Sequence, residues 1–488
     1  MRLGDQAAIL TLSRLASFGL MLASPLFLVH LIPIEDFGRY REFVLYASLL
    51  QSFGSFAIPD SLLYFIPLHP ESQWRMVRQT VVLTAACSCL VLGGLWAVDA
   101  VMSGGLVGAY LVPLALYAFF VINLDFWEWL LIAIRRPKVV MIYTAARLAL
   151  RMIVAVGAAA LTRSFIVIIW SLVVLEGLRF LASAVVWRKL DRSASEPPVI
   201  GGYRNQLRFC VPMGVTMLLA LIRRNLATLA VARLLGPVAL ARYSIGKYGE
   251  PIVATVRNSL SSVVLPEMVR REGSVKEDRS DHSLALWKRA TAICALLMFP
   301  IVPPVVRYAE PLIATLFGEE YRAGAIVMQL YMLVLIRECF DFSPALRAKG
   351  TTAPLVYSTL AGLVAAAIVL LPLIAYAGIA GAMMSFAIGS FVEAIWLAVT
   401  MMALYRVSAG NLLPWMSIIK VAFATTLAAT VLVPSLWTDV LGVAGIVPAS
   451  CCYAVVYALI VWVLRVPESA VLLEWVRKRV PASARLLS

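Results

Sequence analysis

Charge is what this chain has least of. Asp, Glu, Lys and Arg make up 14% of its 488 residues, against about 25% in a soluble domain. Histidine is nearly absent, since His30, His69 and His282 are the only three and lie far apart. The seven cysteines are scattered, and Cys87, Cys89, Cys294, Cys451 and Cys452 fall in apolar segments. None has metal-ligand spacing, so neither a metal nor any other cofactor is expected. No G-x-x-x-x-G-K-[ST] loop occurs, which argues against a primary pump. No Ala-x-Ala exit follows the first apolar stretch, residues 7–32, so no cleavable signal peptide is expected.

Apolar residues are abundant instead: 62% of the chain, with a mean hydropathy of +0.89. Such a chain is expected to be an all-α polytopic membrane protein. A span takes about 20 apolar residues. About fourteen segments qualify on that length, centred near residues 20, 54, 89, 118, 150, 176, 221, 253, 295, 335, 364, 391, 425 and 453. The net charge of +15 then reflects basic cytoplasmic loops, not nucleic-acid binding. With the N-terminus inside, the cytoplasmic side holds about 25 Lys and Arg and the outer loops about six, which predicts cytoplasmic termini.

A repeat organises these segments. LIPIEDFGRY, residues 31–40, follows the first span, and LLGPVALARY, residues 234–243, follows the seventh, 203 residues later. Tyr143 and Tyr357 open the fifth and eleventh spans, 214 apart, and Glu176 and Glu393 lie in the sixth and twelfth, 217 apart. The steady offset predicts two pseudo-symmetric six-helix lobes, 1–190 and 205–406, joined by a cytoplasmic linker, 191–204. Two further transmembrane helices, 407–465, and a basic amphipathic tail, 466–488, complete the expected plan.

Ionisable groups inside spans cost about 2.5–3.5 kcal/mol on the insertion scale. In the first lobe Arg14, Arg147, Arg151 and Arg179 balance Asp60, Asp125, Glu128 and Glu176. In the second, Arg337, Glu338 and Asp341 share the tenth span, with Glu393 free to take another base. The seventh and eighth segments carry Arg223, Arg224, Arg233, Lys247 and Arg257 against the single acid Glu250. Adjacent helical residues point about 100° apart, so one of Arg223 and Arg224 faces away. Lys247 and Arg257, ten residues apart, are expected on one face. An anion is the simplest missing partner. Pro25, Pro59, Pro212 and Pro251, with Gly246 and Gly249, mark places where spans can bend.

Four motifs resemble those of the polysaccharide-transporter branch of the multidrug/oligosaccharidyl-lipid/polysaccharide exporter superfamily, the O-antigen and exopolysaccharide flippases. They are LLGPVALARYSIGKY at 234–248, PLIATLFGEEYRAGA at 311–325, LRAKG at 346–350 and YAGIAGA at 376–382. With the N-terminal repeat copy, the resemblance covers most of residues 1–405. It implies a non-enzymatic carrier that moves undecaprenyl-pyrophosphate-linked oligosaccharide across the bacterial inner membrane by alternating access. Lipid-linked oligosaccharide, membrane lipids and other polysaccharide-assembly proteins are the implied partners, and nucleic acid is not. On that reading Arg14, Arg223, Arg224, Lys247 and Arg257 hold the pyrophosphate in a basic inter-lobe cavity. Tyr64, Tyr243, Tyr248 and Asn258 contact sugar, and Asp60, Glu128, Glu338 and Asp341 are candidates for ion coupling. One departure stands out. Many members carry an acid in the seventh helix, where this chain reads NLATLAVAR at 225–233.

Two rivals stay open. A multidrug or cation-coupled exporter of the same superfamily fits the fold, but a cationic cargo fits the excess of Arg and Lys poorly. A polytopic glycan polymerase or ligase usually has large external loops, and here the outer connections are short.

Overall fold

The computed structural model describes residue 19 and residues 23–101, 110–134, 136–190, 196–197, 202–272, 280–351, 353–432 and 442–469. Arg14 and segment 470–488 of the expected tail lie outside the described residues. Every regular element described is helical. Apolar spans have no water to satisfy backbone groups, so the hydrogen bonds must close within the segment.

The helices run as α1 (23–31), α2 (Ile34–Ser55), α3 (Leu62–Leu68), α4 (Gln73–Val101), α5 (Leu111–Leu124), α6 (Phe126–Ala133), α7 (Pro137–Thr162), α8 (Phe165–Leu190) and α9 (Gly202–Leu234). They continue as α10 (Gly236–Gly246), α11 (Glu250–Glu272), α12 (Ser280–Met298), α13 (Val302–Phe317), α14 (Ala325–Glu338), α15 (Ser343–Ala348), α16 (Ala353–Tyr405), α17 (Ala409–Leu412), α18 (Trp415–Ala429) and α19 (Ile446–Val463).

Among the described residues ten helices are long and apolar enough to cross a membrane, or eleven if the bent pair Ile34–Ser55 and Pro59–Leu68 is one span. The expected fourteen differ from this count at three places. The first span lies mostly outside the described residues. The eighth is interrupted between α10 and α11. The eleventh and twelfth run on as the 53-residue α16, broken inside at Gly378, whose φ of 55° and ψ of −126° suit only glycine. Large apolar side chains such as Leu90, Leu161, Ile368 and Val463 are exposed, as a lipid-facing surface requires.

The chain forms two compact units, Met1–Ala241 and Arg242–Ser488. In the first, Phe43, Leu114 and Ile169 centre one cluster, and Leu62, Met76, Phe126 and Leu130 another. α9, expected to open the second lobe, packs in this unit, because Gln206 hydrogen-bonds Ser61 and Thr80 and Gly214 sits against the Phe56 ring. In the second unit Met268, Trp287, Phe342, Leu346 and Met401 form the main cluster. Tyr308, Ala428, Ala449 and Tyr453 fasten α18 and α19 to α13.

Candidate functional site

Of the charged groups expected inside the first lobe, Arg147, Arg151 and Arg179 pair with Glu128 and Glu176. Glu176 is fully buried and takes both Arg151 and Arg179, and Arg179 also donates to the Tyr143 hydroxyl at 2.9 Å. The i,i+3 spacing of Glu176 and Arg179 puts them on one face, as expected. Glu128 pairs with Arg147 at 3.0 Å. Asp125 accepts from Gln51 at 3.4 Å and Ser55 at 3.3 Å. Asp60 makes no ion pair among the described residues.

Arg223 and Arg224 split as helical geometry requires. Arg223 is half-buried and Arg224 exposed. Arg224 has neither an ion pair nor a hydrogen bond among the described residues. Arg233 sits at the far end of α9, within electrostatic reach of Tyr46 and Tyr110, where Glu42 also lies. Tyr64 is 52% exposed. Its ring stacks on Phe209, with centroids 4.9 Å apart and planes 16° off parallel.

In the second unit the expectation of unpaired cations is corrected. Lys247 pairs with Glu250 at 3.0 Å, and its ammonium lies 4.5 Å from the Phe386 ring centroid. Arg257 pairs with Glu338. Glu338 also meets Arg337 at 3.4 Å, and Arg337 reaches Glu393 at 3.2 Å and the Ser390 carbonyl at 2.9 Å. The result is a neutral chain, Arg257–Glu338–Arg337–Glu393, crossing α11, α14 and α16. Asp341 accepts from Ser261 at 2.7 Å and lies close enough to Arg257 to act on its charge. Arg257, Ser261, Trp287, Thr291 and Asp341 line one small pocket.

The shared face expected for Lys247 and Arg257 is also corrected. Residues 247–249 form a turn between α10 and α11, so helical phase does not carry through. Glu250, the first residue of α11, reaches back to Lys247 across that turn.

The expected sugar contacts fare unequally. Tyr243 is fully buried and packs under Lys247, so its ring offers no open face. Tyr248 meets Phe317 edge-on at 5.0 Å. Asn258 is exposed and accepts from Arg257 at 3.2 and 3.3 Å.

The most distinctive motifs prove to be packing devices. Arg242 donates to the Glu320 carbonyl at 2.9 Å. A Cβ on Gly246 would lie 2.5 Å from the Val327 Cβ, and one on Gly324 would lie 2.5 Å from the Arg242 carbonyl oxygen. Residues 242–248 and 311–325 thus interlock as one corner, with Phe317 and Tyr321 buried inside it.

One polar centre escaped the sequence reading. Gln206 is 1% exposed and bridges Ser61 and Thr80, which lie 145 and 126 residues away in the chain. A single amide in the first turn of an apolar helix carries no local signal of such partners.

Residues 76–326, just over half of the chain, match the family described as polysaccharide biosynthesis protein. No curated protein matches the chain. Among solved structures, the lipid II flippase MurJ in an inward closed conformation superposes with a TM-score of 0.69 at 12% identity, covering 93% of this chain and 98% of that one. The Vibrio cholerae MATE transporter VcmN superposes at 0.53, with 11% identity over 83% of this chain and 96% of its own. An inward-facing multidrug resistance MATE transporter of the MOP superfamily gives 0.53 and 15% identity over 82% of this chain and 100% of its own. These likenesses establish the fold, that of membrane flippases and exporters. By its match over more than half its length, the chain belongs to the polysaccharide biosynthesis protein family.

Proposed function

We propose that this protein is a flippase for undecaprenyl-pyrophosphate-linked oligosaccharide, an O-antigen or exopolysaccharide repeat unit. It moves the lipid from the inner to the outer leaflet of the bacterial inner membrane by alternating access, with both termini in the cytoplasm. Membership of a polysaccharide biosynthesis family and a fold shared with a lipid II flippase support this reading. The observation that carries it is Arg224, an exposed guanidinium in an apolar span with no ion pair among the described residues. Guanidinium offers forked donors to phosphate oxygens. Arg223, Lys247 and Arg257, with Arg14 from the first span, complete the proposed set of pyrophosphate ligands. Tyr64, stacked on Phe209, is the proposed sugar platform. The six-helix repeat with two added C-terminal helices is the proposed framework.

Proteoliposomes carrying a fluorescent lipid-pyrophosphate oligosaccharide test the proposal. The wild type transfers probe between leaflets. Arg224→Gln lowers the rate at least tenfold without changing thermal stability, and Arg224→Lys retains part of it. Unchanged transfer by Arg224→Gln refutes the role of Arg224. The MATE likenesses favour drug export as the second reading. A wild type that extrudes a cationic dye and moves no lipid selects it.

A further inference from the structure

Two thiols of the second unit are brought side by side by segments distant in the chain. Cys294 lies on α12, and Cys339 caps the end of α14, 45 residues later. Both are buried, at 5% and 2% exposed. The Cys339 sulfur lies 4.0 Å from the Cys294 carbonyl oxygen and 3.5 Å from that of Leu335. A thiol has one proton to donate, so Cys339 gives it to a carbonyl. Its sulfur can then only accept, and the Cys294 side chain is in hydrogen-bond contact with it. The two sulfurs are therefore neighbours, with the Cys294 proton between them.

A cavity supplies the second, independent observation. Cys294 and Cys339 line it together with Arg257, Ser261, Thr291 and Asp341. About 20 Å³ of it is open to the centres of water-sized molecules. One water needs roughly 10–15 Å³ on that measure. A small neutral polar molecule thus fits against both thiols and finds hydroxyls to bond. Asp341 is already held by the Ser261 hydroxyl at 2.7 Å and the Ser343 N–H at 3.0 Å. The Arg257 guanidinium is the cation on the same wall, and a neighbouring cation favours the reactive thiolate.

The donor set decides what the pair can do. Structural zinc takes four ligands, and no group of three His, Cys, Asp or Glu suited to a metal occurs among the described residues. A soft metal held by two thiolates alone would leave net negative charge in a span, which is costly. A disulfide is neutral and needs nothing beyond the two sulfurs. We propose that Cys294 and Cys339 are a redox pair, oxidised by hydrogen peroxide from this cavity to a disulfide that ties α12 to the end of α14. One thiol loses its proton, and its sulfur attacks a peroxide oxygen. The O–O bond breaks, and the departing hydroxide takes that proton and leaves as water. The second sulfur then attacks the sulfenic acid so formed. The S–S bond forms, the S–O bond breaks, and a second water leaves with the second thiol proton. Two thiols and one peroxide give one disulfide and two waters, with two electrons passing from sulfur to oxygen.

Cys339 directly follows Glu338, the partner of Arg257. The bond would therefore fix the helix end that carries the ion-pair chain. An effect on transport rests on the function proposed above, whereas formation of the bond does not.

Peroxide treatment of the full-length protein in detergent tests the pair. Remaining thiols are then blocked with maleimide in denaturant, and peptides are mapped by mass spectrometry without reduction. In the wild type, peroxide raises the peptide pair joined through Cys294 and Cys339 at least tenfold, and dithiothreitol removes it. Oxidation also raises Tm. Cys294→Ser and Cys339→Ser each abolish the joined pair and the rise in Tm, and Cys89→Ser, at an exposed thiol on α4, leaves both. Thr291→Leu, which fills the cavity, slows joining at least tenfold in folded protein. Absence of the joined pair from folded, peroxide-treated wild type overturns the inference, and so does a pair that forms only after unfolding. An unchanged rate in folded Thr291→Leu overturns the cavity as the route. A failed flipping assay leaves the mapping result standing, so the two readings fall separately.

Discussion

Glu338→Gln separates two roles for Arg257. In the structure Arg257 and Glu338 are mostly buried, with side chains 22% and 14% exposed. Removing one partner of a buried pair costs about 3–5 kcal/mol, because the other charge is left uncompensated. Arg257 keeps the Asn258 amide oxygen and the field of Asp341, and Arg337 keeps Glu393. The loss therefore falls at the lower end, about 3 kcal/mol. For a folding unit the size of Arg242–Ser488 that amounts to about 6–12 °C in Tm. The assay is thermal unfolding of purified protein followed by tryptophan fluorescence. Trp287 reports locally, since its indole donates to the Asp341 carbonyl at 2.7 Å. Arg257→Gln alone should cost a similar amount. The double variant should cost less than the sum by about 1–3 kcal/mol, the coupling expected of residues in one network. Additive losses, or an Arg257→Gln protein as stable as the wild type, refute the pairing. The second outcome also frees Arg257 for a ligand.

Two further substitutions test the packing that holds the spans. Gly246→Ala forces a methyl against Val327 and the Gly324 carbonyl, where a Cβ would lie at 2.5 and 2.6 Å. Overpacking of this kind costs about 1–3 kcal/mol, read as a lower Tm and a lower yield of folded protein. Gly378→Ala places a side chain at φ 55°, ψ −126°, a conformation that costs about 1–3 kcal/mol for other residues. It should lower Tm and the yield of folded protein.

The span pattern was legible because hydropathy is a local property. Twenty apolar residues announce a helix wherever their neighbours lie. Every expected centre apart from the first falls in a described helix. What sequence could not show was pairing at a distance. Arg257 and Glu338 are 81 residues apart, and nothing in either segment marks the other. Glu338 stands beside Arg337 in the sequence and reads as its local partner, which leaves Arg257 without an evident acid. Glu176 and Arg179 were legible because i,i+3 geometry is local. Lys247 and Arg257 were misjudged for the converse reason, since their phase assumed a helix through 247–249. Gln206 was invisible twice over: it carries no charge, and its partners lie on two other helices.

The paired state of Lys247 and Arg257 bears on transport rather than against it. Bare cations in a span would carry their full desolvation penalty whenever the carrier is empty. Glu250 and Glu338 offset part of that penalty by pairing with them. On the proposed function, an arriving pyrophosphate, with more than one negative charge, would compete with a single carboxylate for each base. Two unit charges 4 Å apart attract by about 4 kcal/mol at an effective dielectric of 20. The substrate gains that and a carboxylate loses it, so the net gain at each paired base is only the excess charge of the phosphate. Binding built from exchange is weak by construction, and a carrier must release what it holds. Arg224 differs because no carboxylate is displaced from it. Its contribution to binding is undiluted, so its removal should weaken capture more than removal of either paired base.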